Sequence, residues 1–168
     1  MGKTVMYLEM TSLDDLRPSR PVPALALRRV DPATPLLHAL QARIGAPYGW
    51  RSASRTEHEW AELHAAHPLL QPWLITHAGE TAGIGNLEPQ PGGNVEVATF
   101  GLLPEYVGKG LGGCALTLVL RQAWLTAPYS SAEPVRRVWL HTSSEDHSNA
   151  LVNYRARGLR PYGMEARA

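Results

Sequence analysis

One short segment of this chain concentrates glycines in a way that could bind a phosphate. Gly108, Gly110, Gly112 and Gly113 lie in Val107-Gly108-Lys109-Gly110-Leu111-Gly112-Gly113, after an alternating apolar stretch and before a densely apolar one. As a strand-to-helix turn, the segment leaves the N–H groups of a first helical turn unpaired, at the positive end of the helix dipole. Several donors then face a phosphate, and the missing Cβ atoms let it approach them. A glycine turn without any ligand is the plain reading beside this one. A P-loop needs Gly-Lys-Ser/Thr, which Gly108-Lys109-Gly110 does not supply. Gly108, Gly110 and Gly113 do satisfy G-x-G-x-x-G, but a dinucleotide fold places that pattern in its first strand–helix unit, with an acid ending the next strand. Here the pattern comes two-thirds along the chain, and Glu133, 20 residues past Gly113, precedes the next expected strand. A dinucleotide-binding module is the weakest reading.

Other reactive side chains read as structural. His58-Glu59 has no second His four residues on, so no zinc site and no other metal is expected; His58, His64 and His67 read as a solvated helix face. His141, Asp146 and His147 lack a serine or cysteine at an elbow, although Ser143 and Ser144 are near, and read as loop caps. Cys114, inside an apolar stretch at helical spacing, reads as core filling.

The elements that must hold the glycine turn follow from apolar periodicity and breakers. Strands are expected at Val5–Glu9 and Leu25–Val30, the second either separate or a ragged continuation of the first, with Pro18, Pro21 and Pro23 holding an extended loop between them. Pro35 suits the first position of a helix carrying Leu36, Leu37, Leu40 and Ile44. A second helix, carrying Trp60 and Leu63, starts at Ser54 or Thr56. Three strands follow: Trp73–His77, Thr81–Leu87 and one from Val95 to Gly101, with turns at Gly79-Glu80 and Pro89–Asn94. Leu111–Thr126 is a buried helix, Val135–His141 a strand, Asn149–Arg157 a helix stopped by Gly158, and Leu159–Met164 a last strand. The order is mixed α/β with an antiparallel meander in the middle.

The whole chain is consistent with one domain: 168 residues and 18.4 kDa, 44% hydrophobic and 18% charged. Sixteen basic and fifteen acidic residues leave a net charge of +1, which gives no footprint for nucleic acid. No apolar run approaches the roughly 20 residues of a membrane span, and Met1 to Met10 does not read as a signal peptide. A lone cysteine fits a reducing, cytoplasmic compartment.

Phe100-Gly101-Leu102-Leu103-Pro104-Glu105-Tyr106-Val107-Gly108-Lys109-Gly110-Leu111-Gly112-Gly113 resembles the acetyl-CoA segment of the Gcn5-related N-acetyltransferases, the GNAT superfamily, whose core Q/R-x-x-G-x-G/A falls on Val107 to Gly112. Ala150, Tyr154, Gly158 and Leu159 repeat the family's late A-x-x-x-Y-x-x-x-G-F signature, with Leu159 for the usual Phe. Together with the element order, the resemblance covers roughly residues 1 to 165. Val107 departs from Gln or Arg, and His147 stands where an Asn is often found, with Asn149 close by.

The resemblance implies a single domain over residues 1–168. Its sheet would be mixed and mostly antiparallel, flanked by helices, with an acetyl-CoA cleft between the central strands. It implies an acyltransferase that moves an acetyl group directly, without an acyl-enzyme, from acetyl-CoA to the amine of a small-molecule or peptide acceptor. A homodimer is a further expectation of the family. Backbone groups of Phe100, Gly101, Leu102 and Leu103, the turn residues Val107, Gly108, Lys109, Gly110, Leu111, Gly112 and Gly113, and Asn149 and Tyr154 would hold acetyl-CoA, with Gly101 permitting a strand bulge. Tyr154 matches the general acid for the departing thiolate.

Glu96, eleven residues before Val107, takes the spacing of the family's catalytic glutamate. Strand phase puts it with Ala98 and Phe100, opposite Val95 and Val97, where partial burial would raise its pKa. A solvated hairpin residue is the competing reading, and Glu88 across the hairpin is the reserve base. Tyr48, Trp50 and Arg51 would line the acceptor pocket, or simply pack. A non-catalytic CoA-binding sensor on the same fold is the rival function.

Overall fold

The structure, a computed structural model, describes residues 2–168. Strand β1 (Lys3–Met10) leads into a proline-rich strap, and β2 (Leu25–Arg29) follows. Helix α1 (Pro35–Gly45) begins on its proline. Helix α2 (Glu57–Ala66) begins on a capping box, in which the Thr56 side chain accepts from the Glu59 N–H while Glu59 accepts from the Thr56 N–H, both at 3.2 Å. Strands β3 (Gln71–His77), β4 (Glu80–Gln90) and β5 (Asn94–Leu102) form the meander. Helix α3 (Gly112–Leu125), β6 (Arg137–Ser143), the short α4 (Ala150–Ala156) and β7 (Arg160–Arg167) complete the chain.

The seven strands form one sheet in the order β2-β3-β4-β5-β6-β1-β7. The two N-terminal strands are therefore not continuous: β2 closes one edge, and β1 lies near the other, antiparallel to both β6 and β7. Every neighbouring pair is antiparallel except β5–β6, which is parallel and holds only three residue pairs, ending at Glu96↔Trp139.

Each face of the sheet has its own core. On one side α3 packs Leu116 and Leu120 against Leu8, Leu87, Val95 and Val138, all fully buried. Gly85 makes this contact possible, because a Cβ there would meet Val119 of α3 at 2.7 Å. On the other side α1 packs Leu37, Leu40 and Ile44 against Leu74 and Ile84.

The bulge in β5 falls at Ala98, not at Gly101. Val97 opposes Leu87 and Thr99 opposes Asn86, so two steps on β5 match one on β4 and Ala98 is the extra residue. This shifts the strand phase. Residues directly opposite share a face, so Glu96, Thr99 and Gly101 stand with Glu88, Asn86 and Ile84 on the α1 side. Phe100 turns to the α3 side with Val97, away from Glu96.

Gly158, which ends α4 at φ +103°, carries the tightest backbone approach at the strap. A Cβ there would overlap the Asp15 carbonyl oxygen. Gly158→Ala should therefore cost roughly 1–3 kcal/mol, read as a Tm lowered by several degrees in a thermal melt. An unchanged Tm would mean that the strap does not press on the end of α4.

Candidate active site

Where β5 and β6 part, the backbone edge of β5 from Val97 onward loses its partner on that side. Buried backbone groups must be satisfied, and this edge opens into a cleft floored by Phe100, Gly101 and Leu102. Gly101 is glycine for a packing reason: a Cβ would meet Ile44 Cγ2 at 2.5 Å and the Trp50 ring at 3.3 Å.

The glycine turn forms the other wall. Val107, Gly108, Gly110, Leu111, Gly112 and Gly113 line the cleft ahead of the first turn of α3. Gly108 and Gly110 take positive φ values of 77° and 75°, and a Cβ on either would meet nothing within 4 Å. The space before them is open. Gly113 is different, since a Cβ there would press on Ser19 of the strap and on Arg157.

Two of the expected cleft residues are elsewhere. Leu103 is buried in the α1 core and spends its N–H on the Ala82 carbonyl at 2.7 Å, so it has no donor to offer. Lys109 sits at the exposed tip of the turn and does not line the cleft. Asn149 does line it, and its backbone N–H donates to His147 Nδ1. Sequence reasoning missed Asn153, whose amide donates to the Gly112 carbonyl at 3.0 Å and ties α4 to the turn. Its place one residue before Tyr154 was the available signal.

Tyr154 projects from α4 into the place where the cleft meets a second cavity. It is 7% exposed, packs edge-on against Phe100, and its hydroxyl has no hydrogen-bond partner among the described residues. Burial, and then the nearby Asp146 carboxylate, push the phenol far above its ordinary value.

The second cavity lies on the opposite side of Tyr154 from the glycine turn. Tyr48 and Trp50 line both spaces, and Arg51 lines this one only. The Trp50 indole donates to Asp146 at 2.9 Å, and Asp146 also accepts from the Thr142 hydroxyl and the Ser143 N–H. Asp146 thus caps its own loop, as expected, and also fixes the wall that separates the two spaces. Arg51 is largely exposed and pairs with Glu59 at 3.0 Å.

Glu96 and Glu88 line a third recess, joined to the second through Gln41, Arg55, Ala98 and Thr99. Glu96 holds one hydrogen bond, from Gln90 at 3.0 Å, and burial raises its carboxyl above the usual range. It sits on the last residue pair before the strands part. Glu88 is paired with His67 at 2.7 Å. Of the three histidines expected on a solvated face, His64 departs: it bonds His38 through their Nε2 atoms at 2.9 Å, and both stack on the buried Trp60. His58, against Glu62, and His67, against Glu88, are exposed as expected.

The raised Glu96 carboxyl has a measurable consequence. From about pH 4.5 upward the unfolded chain releases this proton more readily than the folded one, so the wild type loses stability as pH rises through that window. Glu96→Gln removes the loss, and in parallel urea titrations it should gain on the wild type between pH 4 and pH 8. An equal effect at both pH values would mean that the carboxyl is not desolvated.

No protein-family model matches the sequence, and none of the curated proteins does. Solved structures do. A GCN5-related N-acetyltransferase from Sphaerobacter thermophilus superposes with a TM-score of 0.65 at 15% identity, covering 98% of this chain and 50% of its own. A GCN5-related N-acetyltransferase from Kribbella flavida gives 0.62 at 20% identity, covering 99% of this chain and 58% of its own. The chain thus spans little more than half the length of the structures it matches. At these identities the likeness is one of fold, and the chain has the fold of the GCN5-related N-acetyltransferases.

Proposed function

We propose that the protein transfers an acetyl group from acetyl-CoA to an amine, by direct attack of the amine on the thioester. The observation that carries this reading is the cleft itself. Open space in front of Gly108 and Gly110 leads along an unpaired strand edge to the unpartnered hydroxyl of Tyr154, whose ring is largely buried. Those parts match the successive needs of the donor: N–H groups for a diphosphate, backbone edge for the amides of a pantetheine arm, and a phenol at the thioester.

The amine, as free base, would attack the carbonyl carbon from the second cavity; the new C–N bond forms, the C–S bond breaks, and the amine loses one proton. Glu96, in the adjoining recess, would take that proton through water, burial making its carboxylate a stronger base than an ordinary one. Glu88, already engaged by His67, is less available. Tyr154 faces the leaving sulfur. Because its phenol is held so far up, it stays protonated wherever the amine is free, and it stabilises the thiolate as a hydrogen-bond donor until a proton arrives.

Two variants test the assignment. Gly112 has room for a side chain, its nearest neighbour being the Asn153 amide at 3.6 Å. Gly112→Val should leave the Tm near wild type yet weaken acetyl-CoA binding tenfold or more by calorimetry, while binding at full strength would remove the turn from the site. Tyr154→Phe should keep acetyl-CoA affinity and lower kcat by roughly 10²–10³-fold, without changing the shape of the pH profile. Full activity in Tyr154→Phe would favour a CoA-binding sensor over an enzyme.

A further inference from the structure

Beside the second cavity stands a cation without an anion. Arg55 lies just ahead of the Thr56 cap of α2 and is half-buried, with no hydrogen bond or ion pair to any described residue. The neighbouring acid is taken, because Glu59 holds both Arg51 and the capping box. The Arg55 guanidinium lies over the Trp60 ring, 4.9 Å from its centre, and Trp60 is in turn stacked on His38 at 4.3 Å. This contact holds the guanidinium over the ring and leaves its N–H groups for a partner.

Arg55 lines both the second cavity and the recess of Glu96, at the passage between them. A buried acceptor waits in the same recess. Asn86, 4% exposed, donates through Nδ2 to Gln41 Oε1 at 3.2 Å, and Gln41 donates to the Thr99 hydroxyl at 3.3 Å. The chain of amides leaves Asn86 Oδ1 buried with no donor. The groove from Tyr154 to Glu96 therefore offers one free cation on its wall, and an unfilled oxygen and a carboxylate deeper in.

We propose that the acceptor amine belongs to a molecule that also carries a carboxylate, and that Arg55 binds that carboxylate while the amine faces Tyr154. The inference rests on the acetyl-transfer reading above. A planar, singly charged carboxylate can take two parallel N–H···O bonds from a guanidinium that has no other hydrogen-bond partner. A phosphate dianion fits worse, since it would also face Glu96 and Glu88 across the recess. Burial and then the charge of Arg51 disfavour the charged form of Arg55, the Glu59 carboxylate nearby offsets only part of this, and an anion bound directly relieves the rest.

The test is a thiol-release assay with matched acceptors: amino acids of increasing chain length, their primary amides, and the corresponding diamines. Wild type, Arg55→Gln and Arg55→Lys are compared, with acetyl-CoA binding followed by calorimetry. We expect wild type to use at least one amino acid with kcat/KM tenfold or more above its amide. Arg55→Gln should erase that preference through KM, and Arg55→Lys should restore part of it. Amides or diamines used as well as the acids, or acids and amides depressed alike in Arg55→Gln, would overturn the carboxylate inference. So would acetyl-CoA binding with turnover of no carboxylate-bearing amine. Wild type that does not bind acetyl-CoA would instead overturn the acetyl-transfer reading, and this inference with it.

Discussion

Two parallel strands that pair over three residues and then separate are the constraint on which the rest of this molecule depends. Had β5 and β6 stayed paired to their ends, the edge beyond Glu96 would be saturated and no cleft would exist. Their parting leaves polar backbone that the protein itself does not satisfy, and the surrounding elements are shaped to keep that edge reachable. The Ala98 bulge re-aims β5, Gly101 lets α1 and Trp50 close over it, and the bond from Trp50 to Asp146 spans the gap from the far side.

The same parting divides labour between the faces of the sheet. The α3 side holds the glycine turn and Tyr154, while the α1 side holds Glu96, Arg55 and the His38–Trp60–His64 stack. Tyr154 belongs to both spaces because it stands where no strand covers the opening. A low-dielectric junction of this kind strengthens each electrostatic contact made in it. Burial also penalises the charged form of a titratable group, which is why both the phenol and, in the adjoining recess, Glu96 are pushed upward.

Much of this was legible in the residues. Pro35, the Thr56 box and Gly158 mark helix ends by local chemistry that tertiary contacts do not override, and the glycines of the turn announce a close backbone approach. What was not legible depends on pairing between distant segments. A strand's phase is readable only until a bulge interrupts it, and the bulge at Ala98 carries no glycine to betray it, so Phe100 was assigned to the wrong face. Leu103 looked like a donor because sequence does not reveal that Ala82 takes its N–H. The distinct role of Arg55 is hidden in the sequence for a similar reason. Beside Arg51 in the chain it looks equivalent, and only the fold gives Glu59 to one of them and Trp60 to the other.

The position of β1 bears on the order in which this architecture can assemble. The meander from β3 to β5 joins strands that follow one another directly, so its contacts are local and close quickly. β1 pairs Val5 with Ser143 on one edge and Lys3 with Arg167 on the other. During synthesis it must wait, both edges bare, until β6 and β7 have emerged. Open edges of that kind invite pairing with other chains. The half of the sheet that carries α1 can thus form early, whereas the wall provided by β6, β1 and β7 is a late, long-range closure. The opening between β5 and β6 comes into being only when a slow half meets a fast one.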